Sequence, residues 1–545
     1  MDQPRGLLFE MTSNFGRGSA ICLLSILLLA VFGYLSLQQM PSPKPATLNA
    51  PANEFSSARA FKHLEVIAAK PHPVQSPEHA QVREYIVNEL TRMGLSPEIQ
   101  HTTAIDNVVV KLKGTGDGKA VLLVGHYDTV PQSPGAADDS SAVALMLETL
   151  RALKAEAPLT RDVICLFSDG EEVSLEGAKA FVYSHPWAKD VGLVLNFEAR
   201  GNSGPSVMFE TSNNNADLIE QFAKAAPYPV ANSLSSNIYR LLPNDTDLTI
   251  FIEAGMTGLN FAFIKGLDYY HSSQDSLNNL DQGSLQHQGS YALALTRYFG
   301  NLNNDLPASR GNAVYFNTVG SHIVLYSEKW ITPLAVMVSV LFAGLIVLGW
   351  KRKRLTFSGI VKGIVLVGLN MIAVVVTVML FWLALRSTAN ADLVAIALAF
   401  VAVVAAAFFY WWSLRTVSVN NLLAGGLIWW TLLMWLSGGL LPGGSYLFTW
   451  PLLFNLIGLG VLLISPRRAG SLVLLACAIP GIFLFTPLVY LTLIAFSLQS
   501  FLAVVVIVVP AVLLLVSLVP QLSSLQSLTK SHQVDVPQVY LAARS

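Results

Sequence analysis

Two hydrophobic rhythms divide this chain. Between residues 329 and 520 apolar side chains run on with only short polar interruptions. A bilayer core takes about 20 apolar residues as a helix. The runs near 330–350, 358–385, 392–412, 421–440, 446–465, 470–496 and 500–519 meet that length and predict seven spans. An eighth run, Ser19 to Leu37, follows Arg5 and Arg17. It exceeds the apolar core of a usual signal peptide, and the following QQMPSPKP has no small-x-small cleavage pattern, so it reads as an uncleaved anchor.

The rest of the chain has a shorter beat. A Pro, Ser and Ala segment from Pro41 to Pro51 reads as a linker, and helical periodicity predicts helices over Ser57–Ala69 and Pro77–Met93. Val, Ile and Leu runs then predict strands at Asn107–Leu112, Ala120–Gly125, Val163–Ser168, Gly192–Phe197, Ser206–Phe209 and Gly258–Ile264. Helical stretches such as Ser141–Lys154 and Gly177–Tyr183 lie between them. This alternation predicts an α/β sandwich with a largely parallel central sheet. Residues 313–330 alternate like a hairpin bridging to the membrane region. The expected plan is an anchor and linker over 1–54, the α/β domain over 55–305, a connecting hairpin over 306–328, a seven-span α-helical membrane domain over 329–520 and a cytoplasmic tail over 521–545.

Composition sharpens this division. The chain is 53% hydrophobic and 13% charged, with a mean hydropathy of +0.51, so part of it belongs in the lipid bilayer. The positive-inside rule assigns Lys351 to Arg354, Arg415, Arg467 and Arg468 to cytoplasmic loops. With the N-terminus inside, all of them fall inside and residues 38–328 fall outside the cytoplasm. Net charge is -1 with no basic stripe, which excludes nucleic acid as a partner class. Cys22, Cys165 and Cys477 lie far apart in apolar contexts, giving neither a disulfide framework nor a thiolate metal site.

Ligand sites in parallel sheets sit beyond the carboxyl ends of the strands. There the sequence places His126-Tyr127-Asp128 after VLLVG, Asp138-Asp139 one loop later, Glu171-Glu172 after CLFSDG, Glu198 after VLNF, and His271 beyond the last strand. Each of these five segments offers an oxygen or an imidazole, the mixed ligand set that Zn2+ accepts.

The motifs GHYDTV, PGAADDSSA, SDGEEVSLEGAKAF, NFEARG and YYHSSQDS, in this order over roughly residues 60–300, resemble the co-catalytic di-zinc aminopeptidases of clan MH. The anchor and multi-span tail are similar to its membrane-embedded branch of endoplasmic reticulum metallopeptidases and vacuolar membrane proteases. The resemblance implies that Asp138 bridges two zinc ions, that His126 and Glu198 complete one site, that Glu172 and His271 complete the other, and that Glu171 is the general base. It gives Asp128 the role of accepting the second N–H of His126, fixing its tautomer. Many soluble relatives carry Asp where this chain has Glu198. The extra methylene bears on whether that carboxylate binds through one oxygen or two.

Each residue also has a plain structural reading. Alone, His126 is an ordinary loop histidine, Glu171-Glu172 a solvated helix start, and Asp139 or Ser140 a helix cap. Asp247 reads as a cap, and Asp275 as a hydrogen-bonding residue near the ligand loop. Arg200, Tyr239 and Arg240 are candidates for lining a substrate pocket. In the tail, Lys362 stands almost alone among ionisable residues within spans, which favours a scaffold or oligomerisation role over a transport pathway. The expected function is peptide-bond hydrolysis outside the cytoplasm by a membrane-bound zinc aminopeptidase acting on peptides. The alternatives are a glutaminyl-cyclase-like enzyme with a single zinc, a receptor or scaffold that has lost its chemistry, and a transporter with an appended peptidase-like domain. The lack of paired cysteines and the lone sequon at Asn244 lean toward a bacterial periplasm over a eukaryotic lumen.

Overall fold

The computed structural model describes residues 24–38, 40, 42–302, 311–318, 322–385, 391–465, 467–496 and 501–523. Arg5, Arg17, Cys22, the start of the Ser19–Leu37 run, the polar turn at 386–390 and the tail at 524–545 lie outside the described residues. The chain forms two compact units, one of residues 39–328 and one of residues 1–38 with 329–545.

The 39–328 unit is built on a seven-stranded sheet of β1 (Glu98–His101), β2 (Asp106–Leu112), β3 (Ala120–His126), β4 (Val163–Ser168), β5 (Val191–Ala199), β6 (Ser203–Thr211) and β7 (Gly258–Lys265). Strand order is β1-β2-β4-β3-β5-β7-β6. The four central strands are parallel, while β1, β2 and β6 pair antiparallel at the edges. Side chains alternate across the pleat. Val121 and Leu123 therefore face a layer containing α2 (Ser57–Ile67), α3 (Pro77–Arg92), α4 (Ser140–Lys154) and α9 (Gln282–Gly300). Leu122 and Val124 face α5 (Glu176–Ser184) and α8 (Asp247–Glu253). Helices cover both faces, so the central strands read as continuous apolar runs.

Strand and helix positions agree with the periodicity to within a few residues. β1, α6 (Ala216–Ala225), α7 (Ser233–Tyr239), α8 and α9 are additional to the elements expected from the sequence pattern. The chain at 42–54, expected to be linker, is tied down: Gln286 accepts the Ala46 N–H at 3.0 Å, and Arg59, held by buried Glu148 at 2.8 Å, donates to the Ala50 carbonyl at 2.8 Å. β8 (Ala313–Asn317) and β9 (Ile323–Ser327) pair antiparallel, with Tyr315 buried in the core of this unit.

In the other unit, α1 (Leu24–Leu37) precedes α10 (Ile331–Lys351), α11 (Phe357–Leu385), α12 (Ala391–Ser413), α13 (Val419–Leu440), α14 (Tyr446–Ile464), α15 (Arg467–Phe496) and α16 (Phe501–Leu515). Among the described residues, six helices from 328 to 495 are long and apolar enough to cross a membrane. The expected seventh C-terminal span is shorter: α16 has 15 residues and tightens into a 3-10 turn at Val516–Leu518. Its apolar run meets the length criterion, but regular α-helix covers only part of it. Pro480 and Pro487 both lie inside α15. A Cβ on Gly425 would meet the Gly363 carbonyl carbon at 2.4 Å, so α11 and α13 touch backbone to backbone, as small residues allow in lipid.

Candidate active site

Five segments, the loop of His271 beyond β7 among them, deliver the candidate side chains to one end of the sheet. His126 is the last residue of buried β3, and Glu198 is the penultimate residue of β5. Beyond β4 the chain turns at Gly170, whose φ of +74° favours glycine, and a Cβ there would meet Ile105 at 2.7 Å. This turn presents Glu171 and Glu172. Asp139 is the N-cap of α4: one carboxylate oxygen accepts the Ala142 N–H at 3.3 Å, and the other accepts the His126 N–H at 3.2 Å. The cap thus ties the Asp138 segment to the end of β3.

The side chains converge. Asp138 turns Oδ1 to His126 Nε2 at 3.2 Å and Oδ2 to His271 Nε2 at 3.1 Å. Glu172 Oε1 lies 3.0 Å from His271 Nε2, while Glu198 Oε2 and Glu171 Oε2 lie 3.9 and 4.0 Å from His126 Nε2. Two triads, His126 with Asp138 and Glu198, and Asp138 with Glu172 and His271, each hold their ligand atoms within 4.8 Å of one another. Asp138 belongs to both.

These residues fit a bound cation. Glu172 Oε1 and His271 Nε2 are buried and adjacent, yet neither makes a hydrogen bond. Buried polar atoms without hydrogen bonds are costly. Imidazole and carboxylate donors aimed at common points are what Zn2+ takes. The charge balance agrees. Burial opposes ionisation of Glu198, and neighbouring carboxylates add to this, pushing it up to about 8. Burial likewise lifts Glu171 well above the carboxylate range. Burial works against a charge on His271, but Asp138 and Glu172 outweigh it and raise the imidazole to about 9. The same contest leaves His126 raised, through Asp128 and Asp138, and Asp138 lowered. Negative groups are crowded here, and cations would relieve the crowding.

Asp128 plays a wider part than the sequence suggested. The nearest acceptor for His126 Nδ1 is the Asp128 backbone carbonyl at 3.0 Å, with its carboxylate at 3.4 Å. That carboxylate instead accepts the Glu171 and Glu172 N–H groups at 3.1 and 3.2 Å, holding the turn. Asp247 is not the cap it was expected to be. Thr246 is the N-cap of α8, and buried Asp247, in the first turn, accepts a hydrogen bond from Ser168 Oγ. A buried pair that sequence reasoning missed, His79 Nε2 with Asp169 Oδ1 at 2.8 Å, props the same turn, and the His79 ring stacks on Tyr127. Of the pocket candidates, Arg240 donates to Asn213 and to the Thr211 carbonyl, Tyr239 packs edge-on against Phe209, and Arg200 is half-buried. Cys165 is buried, with its thiol pushed up by burial, and Cys477 is buried in α15.

Residues 107–296 match peptidase family M28. The matched segment contains every candidate ligand and Glu171. The chain is 30% identical over 360 residues to endoplasmic reticulum metallopeptidase 1 of Rattus norvegicus, covering 59% of this chain and 40% of the relative. It is 29% identical over 304 residues to the vacuolar membrane protease of Candida glabrata, covering 50% of this chain and 32% of that protein. The chain thus matches about 40% or less of the length of these relatives. Among solved structures, it is similar to an aminopeptidase from Aneurinibacillus sp. strain AM-1, at 12% identity and a TM-score of 0.38 over 48% of this chain and 99% of that one. A glutaminyl cyclase from Porphyromonas gingivalis aligns at 18% identity and a TM-score of 0.37 over 45% of this chain and 97% of its own. The M28 match and the membrane-bound relatives agree with the family resemblance carried by the strand-end motifs.

Proposed function

We propose that this chain is a membrane-bound zinc aminopeptidase whose M28 domain hydrolyses peptides outside the cytoplasm. The observation that carries the reading is the two-sided presentation of Asp138, with one oxygen toward His126 and the other toward His271. A carboxylate shared in this way suits a pair of metal ions, with His126 and Glu198 on one side and Glu172 and His271 on the other. Zinc held there would supply a Lewis acid for the scissile carbonyl and lower the pKa of the attacking water.

The chain's own residues do the rest. Glu171 is the general base: its Oε2 reaches into the His126 cluster, and burial with neighbouring carboxylates holds it well above the ordinary carboxylate range. It takes the proton of the attacking water and returns it to the leaving amine. Asp128 keeps Glu171 and Glu172 on separate duties by fixing both their backbone N–H groups. Asp139 and Asp275 hold the Asp138 segment still.

Glu171→Ala in the full-length protein tests this directly. Peptidase activity should fall by about 10²–10⁴-fold, with metal content unchanged and close to two zinc ions per chain. Full activity in that variant would falsify the mechanism. A stoichiometry of one zinc with cyclisation of N-terminal glutamine would favour the cyclase-like alternative.

A further inference from the structure

Glu198 is held from behind by a polar ladder that crosses three strands. Asn196 lies two residues before Glu198 on β5 and so shares its face of the sheet. Its Nδ2 donates to Glu198 Oε1 at 3.0 Å and to Asn260 Oδ1 at 3.0 Å. Asn260 pairs with Asn196 in the parallel β5–β7 register. Its own Nδ2 donates to Glu210 Oε2 at 3.0 Å and to Thr246 Oγ1 at 2.8 Å. Glu210 faces Asn260 in the antiparallel β6–β7 register, and Thr246 is the N-cap of α8. Asn196, Glu198 and Asn260 are all buried.

Metal ligation sets the direction of every bond in this ladder. A cation at the cluster keeps Glu198 ionised despite its burial, and an ionised carboxylate only accepts, so Asn196 turns its NH2 toward Glu198. The second hydrogen of that NH2 then meets the Asn260 carbonyl oxygen, which leaves the Asn260 NH2 facing Glu210 and Thr246. Flipping either amide would set oxygen against oxygen at about 3 Å in a buried place, at a cost of several hydrogen bonds. The ladder therefore engages Oε1 of Glu198 and leaves Oε2 as the oxygen turned to His126.

We propose that Asn196 and Asn260 are positioning residues that make Glu198 a one-oxygen metal ligand. The inference rests on the reading of Glu198 as a ligand given above. It also answers what the additional methylene of Glu198 does: the longer side chain reaches the cluster with one oxygen while the other stays anchored to β5.

Zinc titration of the metal-free full-length protein in detergent, followed by calorimetry, tests this, with thermal unfolding of the metal-free form as the control for folding. Glu198→Ala should lose or greatly weaken one of two zinc ions. Asn196→Ala and Asn260→Ala should weaken that same zinc by about 10–100-fold and leave the other as in wild type. Asn260→Ala should add nothing in the Glu198→Ala background. In cobalt-substituted protein, Asn196→Ala should also lower the visible absorption intensity, as a freed Glu198 adds its second oxygen and raises the coordination number. Asn196→Ser and Asn260→Ser serve if the alanine variants unfold. Wild-type zinc affinities in the Asn196 and Asn260 variants, alongside a lost zinc in Glu198→Ala, would overturn the ladder and leave the ligand assignment standing. Wild-type binding in Glu198→Ala would remove Glu198 from the ligand set and the inference with it.

Discussion

Asp275 grips the backbone of Asp138. One of its carboxylate oxygens accepts the Asp138 N–H at 3.1 Å, and the other accepts the Ala137 N–H at 2.8 Å. Asp275 also lies four residues after His271, so one short loop supplies a candidate ligand and clamps the shared one. An asparagine could accept only one of the two N–H groups and would turn its NH2 against the other. Asp275→Asn should therefore lower zinc affinity by about 10–100-fold. Competition with a chromogenic chelator would measure it, and unchanged affinity would reduce Asp275 to a loop brace.

Removing metal should loosen the 39–328 unit. Buried carboxylates meet at the cluster with only two imidazoles, His126 and His271, to offset them. A ligand that binds only the folded state at about 1,000 times its Kd stabilises by about 4 kcal/mol. Chelation should lower the unfolding temperature of the full-length protein and zinc should restore it. A Glu171→Ala variant should show the same metal-dependent shift, since the base is not among the ligands. A temperature indifferent to chelator would count against a bound metal.

Acid should weaken this unit through His287. Its Nδ1 accepts the Ser206 N–H at 3.1 Å and its Nε2 faces the Tyr228 carbonyl at 3.0 Å, which fixes a neutral tautomer. Burial lowers its pKa from 6.5 to about 4, against a smaller opposing effect of the Tyr228 carbonyl. The folded pKa lies below the unfolded one, so the unfolded chain binds the proton more tightly. Stability from neutral His287 is complete above pH 6.5 and is lost as pH falls toward 4, on the order of 3 kcal/mol. Unfolding temperatures across that window should fall less steeply in His287→Gln, which keeps an acceptor and a donor without titrating. Identical slopes would assign the acid sensitivity to other groups.

The basic turns predict an orientation. Lys351 to Arg354, Arg415, Arg467 and Arg468 adjoin the ends of α10, α12 and α15 that the positive-inside rule places in the cytoplasm. A single cysteine introduced at Lys353, in a background without native cysteines, should be shielded from a membrane-impermeant maleimide in intact cells. One introduced at exposed Tyr183, in the 39–328 unit, should react. The reverse pattern would put the 39–328 unit in the cytoplasm.

Much of this architecture is written in local patterns. β3 and β4 are continuous apolar runs that end in polar residues, and burial on both faces of a parallel sheet favours such runs. Six of the seven expected C-terminal spans announce themselves by length among the described residues, because backbone polar groups in lipid must be satisfied within a helix, while α16 is shorter than its apolar run. α9 was harder to read. Its buried Gln286, His287 and Gln288 interrupt the apolar stripe, since they are held by the Ala46 and Ser206 N–H groups and the Glu198 carbonyl.

The sequence by itself determined which residue types end each strand, and hence the kind of chemistry, because side-chain class and strand periodicity are local properties. Only the tertiary structure decided that His126, Asp138, Glu172, Glu198 and His271 share one cluster, that Asp247 faces Ser168, and that Asn260 stands behind Glu198. Those relations join segments up to 145 residues apart, from His126 to His271. They follow from the crossovers that set β3 between β4 and β5, and β7 beside β5, an order to which no local pattern of residues is sensitive.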